Sequence, residues 1–106
     1  MIYIILHAPL PLQGAVGSMH FIALVNWKGK PDRERIAENL SLIEVEAKRE
    51  VRYLNIYWTL GRYDAVALFE APDEKAAMKS AIIRGDLMDI ETLVAIPAEE
   101  ARKLVE

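Results

Sequence analysis

Twice in this chain an apolar run leads into Pro-Asp, then a helical pattern, then another apolar run, and no other feature restricts the fold as much. The first unit starts at a β-compatible segment, 20–27, and passes through Lys28-Gly29-Lys30 to Pro31-Asp32-Arg33-Glu34. The second starts at 63–69 and reaches Pro72-Asp73-Glu74 through Ala71. Proline's fixed φ and acids beside unpaired N–H groups suit a helix's first turn, so each Pro-Asp predicts a helix start. In the first helix Ile36, Leu40, Ile43 and Ala47 recur at helical spacing as one apolar stripe. Lys48 and Arg49 fall near its end, where cations are favoured. The second helix has a small inner face, Ala77, Ala81 and Ser80, with Gly85 as its expected stop. Segment 87–96 alternates, with Met88, Ile90, Thr92, Val94 and Ile96 on one face and Asp89, Glu91 and Leu93 on the other. Pro97-Ala98-Glu99-Glu100 predicts a short terminal helix.

A hairpin joins the two units. The runs 53–60 and 63–69 are separated only by Gly61-Arg62, and Gly at the first central position suits a type II′ turn. A two-residue loop sets the register: Leu60 opposite Tyr63, Thr59 opposite Asp64, Trp58 opposite Ala65, and so on to Leu54 opposite Phe69. One face then holds Leu54, Ile56, Trp58, Leu60, Tyr63, Ala65, Ala67 and Phe69, and reads as the core side. The other holds Tyr53, Asn55, Tyr57, Thr59, Asp64, Val66, Leu68 and Glu70. Such a mixed face is too apolar for water, so something is expected to cover it.

The resulting order, strand-helix-strand-strand-helix-strand, predicts an α+β chain of ferredoxin-like βαββαβ type. Four antiparallel strands carry two helices on one face, and a short C-terminal helix follows. The bare face is most simply covered by the same face of a second copy, which generates a two-fold dimer or a multiple of dimers.

Segment 59–66, Thr-Leu-Gly-Arg-Tyr-Asp-Ala-Val, followed by Glu70-Ala71-Pro72-Asp73, resembles the GYD domain family. So do Phe21-Ile22-Ala23-Leu24-Val25-Asn26-Trp27 in the first strand and Glu91-Thr92-Leu93 in the last. The resemblance covers roughly residues 19–96. It implies the dimeric α/β-barrel superfamily, in which two ferredoxin-like sheets pack face to face. It implies little about activity, since relatives by fold include monooxygenases with and without heme, isomerases and amino-acid-sensing regulatory domains. GYD domains usually begin near the equivalent of Met19. Residues 1–18 are therefore expected to be an N-terminal extension, with 19–106 the domain and Met19 reading as the native start. Within the extension, 2–6 either adds an edge strand or packs as an apolar arm, and 7–14 is a Pro-broken loop.

Composition narrows the functional classes. A net charge of −3 with 27% charged residues and no basic run argues against a nucleic-acid surface. The absence of cysteine removes disulfides, thiol catalysis and cysteine metal sites. No apolar stretch approaches membrane-spanning length and the start lacks a basic flank, so the cytoplasm is the expected compartment. One Gln, few Asn and abundant Glu, Lys and Arg lean towards a thermophile.

Asp64 is the first candidate for chemistry. It shares the open face with Tyr57, and a partly desolvated carboxylate there can act as a general base. A structural role is the stronger reading, because an Asp just after a hairpin bonds backbone amides and Thr59–Asp64 is a good cross-strand pair. His20 is the second candidate. With Asn26 it can line one end of a pocket, although a lone His at a strand start is more often simply satisfied. His7 and His20 are the only imidazoles and have no paired spacing, so no metal is expected. Without a glycine-rich phosphate loop or a nucleophile elbow, no cofactor is expected either.

Trp27, Tyr53, Tyr57, Trp58 and Tyr63 can frame an apolar pocket between sheet and helices. By face, Trp58 and Tyr63 read as core, whereas Trp27 and Tyr57 are better ligand or interface residues. The expected ligand or interface set is Trp27, Asn55, Tyr57, Thr59, Arg62, Tyr63 and Asp64. Glu70, Asp89 and Glu91 fall on the open face, to pair with Arg62, Arg52 or lysines across a subunit contact or to face water. Two functions from different classes follow. The favoured one is a non-catalytic or regulatory homo-oligomer holding a small metabolite at the barrel or subunit interface. The alternative is a cofactor-independent monooxygenase or isomerase of a small apolar or aromatic substrate, with His20 or Asp64 as base. An enclosed cavity lined by Asp64, Tyr57 and His20 together would favour the enzyme.

Overall fold

Both Pro-Asp pairs start helices, with the Asp, not the Pro, at the cap. In the computed structural model, which describes residues 18–106, Asp32 caps helix α1 (Arg33–Ala47) and Asp73 caps helix α2 (Glu74–Ile82). Each carboxylate accepts from the backbone N–H three residues on, Arg35 at 2.8 Å and Ala76 at 2.9 Å. That bond satisfies one of the donors a helix start leaves open.

Strands β1 (Met19–Trp27), β2 (Arg52–Trp58), β3 (Ala65–Ala71) and β4 (Met88–Ala95) form one sheet in the order β2-β3-β1-β4. Every neighbouring pair is antiparallel. A short helix α3 (Ala98–Arg102) and a 3-10 turn at Lys103–Val105 follow. The chain thus has the ferredoxin-like α+β fold. The extension and its expected edge strand lie outside the described residues.

The core lies between the sheet and both helices. Phe21, Ala23 and Val25 of β1 alternate into it, as do Ala65, Ala67 and Phe69 of β3. Phe21 and Phe69 stack with ring centroids 5.3 Å apart, and Ile43 of α1 is equally enclosed. On α2 the buried residues are Ala76, Ala77 and Ser80, so Ala76 takes the place expected for Ala81. The expected glycine stop is also different. Gly85 has no left-handed φ, and the helix unwinds through tight turns such as Arg84 N–H to Ala81 O at 3.2 Å.

The hairpin register holds near the turn and fails farther out. Trp58 faces Ala65, Tyr57 faces Val66 and Ile56 faces Ala67, but Phe69 faces Tyr53 rather than Leu54. A β-bulge at Leu54 inserts one residue into β2 and reverses its parity beyond that point. Tyr53, expected on the open face, is therefore buried, with its ring 5.0 Å from that of Phe69. Adjacent apolar residues at 53 and 54 carry no parity signal, and seating the larger aromatic ring against Phe69 decides the matter. The turn is looser than a type II′ loop: Thr59 N–H donates to Asp64 O at 2.9 Å, and Leu60 and Tyr63 share no backbone bond. Gly61 does adopt φ +100°, which an L side chain resists. Leu60 sits fully exposed at the tip, and Trp58 is 60% exposed, so neither is core.

Candidate functional site

A pocket of about 50 Å³ opens between the helix-bearing face of the sheet and α1. Its apolar walls come from β1, β3 and β4, its aromatic edge from Trp27 and Trp58, and its polar end from Asn39, Tyr53 and Arg84. Trp27 closes β1 with inward parity, and Trp58 does the same for β2, so the two indoles meet at 6.1 Å with their planes tilted by 54°. Exposed Trp58 stands at the rim. The indole N–H of Trp27 is buried and has no hydrogen-bond partner among the described residues. An unpaired buried donor costs about 1–3 kcal/mol, so an acceptor brought to it would bind favourably.

The polar end is rigid. Arg84 is only 3% exposed, yet every edge of its guanidinium is used. Nη2 and Nη1 donate to the two carboxylate oxygens of Glu46 at 2.6 and 3.0 Å. Nε donates to Asn39 Oδ1 at 2.8 Å, and Nη1 also reaches the carbonyl and hydroxyl of Ser80 at 3.0 and 2.9 Å. Tyr53 and Ser80 share a hydroxyl–hydroxyl bond of 2.8 Å, with Arg84 over the Tyr53 ring at 5.3 Å. Burial works against the Arg84 charge. The hydrogen bonds that Arg84 donates to Glu46, with the attraction of Tyr53 and Glu46, more than offset it and hold its pKa above the ordinary value. Burial likewise pushes the Tyr53 phenol up. Glu46 and Arg84 were not among the residues picked out from sequence. Helical spacing contains the signal: Glu46 lies three residues after Ile43, and Arg84 lies four after Ser80.

The residues singled out for chemistry are far apart. His20 lies near the start of β1 and pairs with Glu70 at 3.3 Å. Asp64 lies at the opposite end, about 20 Å away along the strand. There Asp64 Oδ2 accepts from Trp27 N–H at 2.9 Å, while Asp64 N–H donates to Val25 O at 2.8 Å and Asn26 Oδ1 at 3.1 Å. Asp64 thus ties the hairpin to β1. The Thr59 hydroxyl donates to Tyr63 O at 2.6 Å instead of to Asp64. Tyr63, expected in the core, turns to the open face and donates to Glu91 Oε1 at 2.9 Å, a bond that raises its pKa. Arg62 lies 5.5 Å over its ring. Asn55 and Tyr57 also face the open side, beside Leu68 and Val66. The open-face acids find partners within the chain: Glu70 with Arg52 at 3.4 Å and Asp89 with Lys28 at 3.8 Å. At their separation along the strand, His20 and Asp64 do not line one small pocket.

Comparison with known families places this geometry. The GYD domain description matches residues 21–105, nearly the whole chain. The chain belongs to the GYD domain family. No curated protein matches the sequence. Among the described residues of this GYD domain, no group of three His, Cys, Asp or Glu side chains could hold a metal ion, and no helix is long and apolar enough to cross a membrane.

Proposed function

We propose that this GYD-domain protein is a non-catalytic, cytoplasmic module that assembles through its open sheet face and holds a small metabolite beside Trp27. The observation that carries this reading is Trp27, which lines an aromatic-edged pocket and whose buried indole N–H has no acceptor among the described residues. A pocket of about 50 Å³ has room for a small acceptor head such as a carbonyl, with a flat body resting outside it against Trp58. The ionisable groups of the pocket wall suit holding rather than turnover, since Arg84 is paired with Glu46 and Tyr53 is bonded to Ser80.

Assembly is supported by the opposite face. Ile22, Leu24, Val66 and Leu68 are only half-covered there, and Tyr57 is 59% exposed. A second copy applied across a two-fold axis covers such a face with itself. Native mass spectrometry of freshly purified protein tests both parts. The expected result is an even-numbered oligomer carrying a reproducible small mass, which Trp27→Phe loses while the assembly persists. A ligand-free wild-type protein sinks the pocket reading, and a monomer sinks the assembly reading.

A further inference from the structure

The two helices contact the sheet more than they contact each other, because α2 turns only Ala76, Ala77 and Ser80 inward. The space left between them is a second cavity, of about 200 Å³. The Arg84–Glu46–Ser80 network is the partition: Arg84 lines the Trp27 pocket, whereas Glu46 and Ser80 line this one. Leu42, Val45, Val51, Ala76 and Ile83 supply its walls. Val45 and Ile83 are 48% and 43% exposed, so apolar surface continues out to the mouth.

We propose that this interhelical cavity binds a small apolar monocarboxylate, with its hydrocarbon inside and its carboxylate at the rim. Size is the first argument: a dry cavity of about 150 Å³ accommodates benzene, so this one takes a ring or a branched chain with a short tail. The second is polarity. Glu46 has both oxygens engaged by Arg84, and the Ser80 hydroxyl is bonded to Tyr53 and Arg84, so the buried polar side chains of the lining are already satisfied. A buried ligand portion must therefore be apolar. The third is charge. Arg49 and Lys79 border the cavity, and neither side chain has a partner among the described residues. Glu50 is the one unpaired acid beside them, which leaves two cations facing one anion. Arginine's planar fork suits a carboxylate in two-point contact, and Lys79 adds a second charge-assisted donor.

Phenylacetate is a suitable probe and its neutral amide, phenylacetamide, the control. Titrated into the ¹⁵N-labelled full-length protein, phenylacetate should shift the backbone amides of Val45, Val51 and Ile83 saturably. Phenylacetamide should bind about tenfold more weakly, and an Arg49→Gln/Lys79→Gln double variant should weaken phenylacetate by about the same factor. Both substitutions are at exposed positions, so the fold should persist. No saturable shift, or equal affinity for acid and amide, overturns the proposal. So do shifts centred on Trp27 and Trp58, which would assign the acid to the other pocket. Because the interhelical cavity contains no tryptophan, indole fluorescence reports the Trp27 site separately, and either reading can fail alone.

Discussion

The two faces of the sheet are built from interleaved residues of the same strands and have opposite characters. Facing the helices, Phe21, Phe69 and Tyr53 form a continuous aromatic stack, and Phe69 is 2% exposed. On the other side, Ile22, Leu24, Val66 and Leu68 keep part of their surface open between two polar ends. One end is Glu70 with Arg52 and His20; the other is Tyr63 with Glu91. Burial within one chain decides the first face, which is therefore where stability should be concentrated. The second is suited to contact without being needed for folding.

The sharpest way to break that contrast is to open the inner face. Phe69→Ala should cost about 3–5 kcal/mol, read as a lower urea midpoint, since both neighbouring rings lose a partner. A loss under about 1 kcal/mol would mean that the stack is not the centre of the core. Arg84→Ala should cost a similar 3–5 kcal/mol by leaving Glu46 buried without its cation. Replacing both, as Glu46→Leu with Arg84→Met, should recover most of that loss. If the double variant is no more stable than the single one, the pair does more than neutralise itself.

Tyr53 gives a smaller, pH-dependent effect. Burial raises its pKa above the ordinary 10.0, so the folded form holds the proton more tightly than the unfolded chain. The corresponding stability is fully present below about pH 10 and is lost as pH rises through the raised native value. Tyr53→Phe should lose about 1 kcal/mol at pH 8 through the Ser80 bond, and its urea midpoint should then fall less steeply towards pH 11 than the parent's. Parallel slopes would show that Tyr53 does not control the alkaline limit.

The open face should show the smallest change in fold stability and the largest in assembly. Leu68→Lys should alter the chain's own unfolding free energy by no more than about 0.5 kcal/mol, while light scattering reports conversion to a monomer. A variant that assembles like the parent would rule out the open face as the proposed contact.

Part of the inner face was readable from sequence: the hairpin register puts Ala65, Ala67 and Phe69 on one side, and Asp32 and Asp73 announce the helices. The unbroken apolar run 21–25 does not say which side of β1 faces inward. What was not readable depends on long-range geometry. Tyr53 next to Leu54 gives no clue that the strand slips there, and only the place waiting beside Phe69 and Ser80 explains it. The pocket's polar end was hidden for a different reason. Glu46 and Arg84 are charged residues that by composition belong in water, and they are buried only because they face each other across 38 positions of sequence. Trp58 misled in the opposite direction: its parity is inward, but the strand ends there and most of the residue stays exposed.

The bulge at Leu54 also bears on how the protein avoids open-ended association. Among the described residues strand β2 is at an edge of the sheet, where a straight ladder of free amides and carbonyls would invite a neighbouring chain to add its own strand. The inserted residue twists that edge and interrupts its spacing. Fibre-like growth through β2 is thereby disfavoured, which agrees with the proposal that any contact between copies uses the face of the sheet.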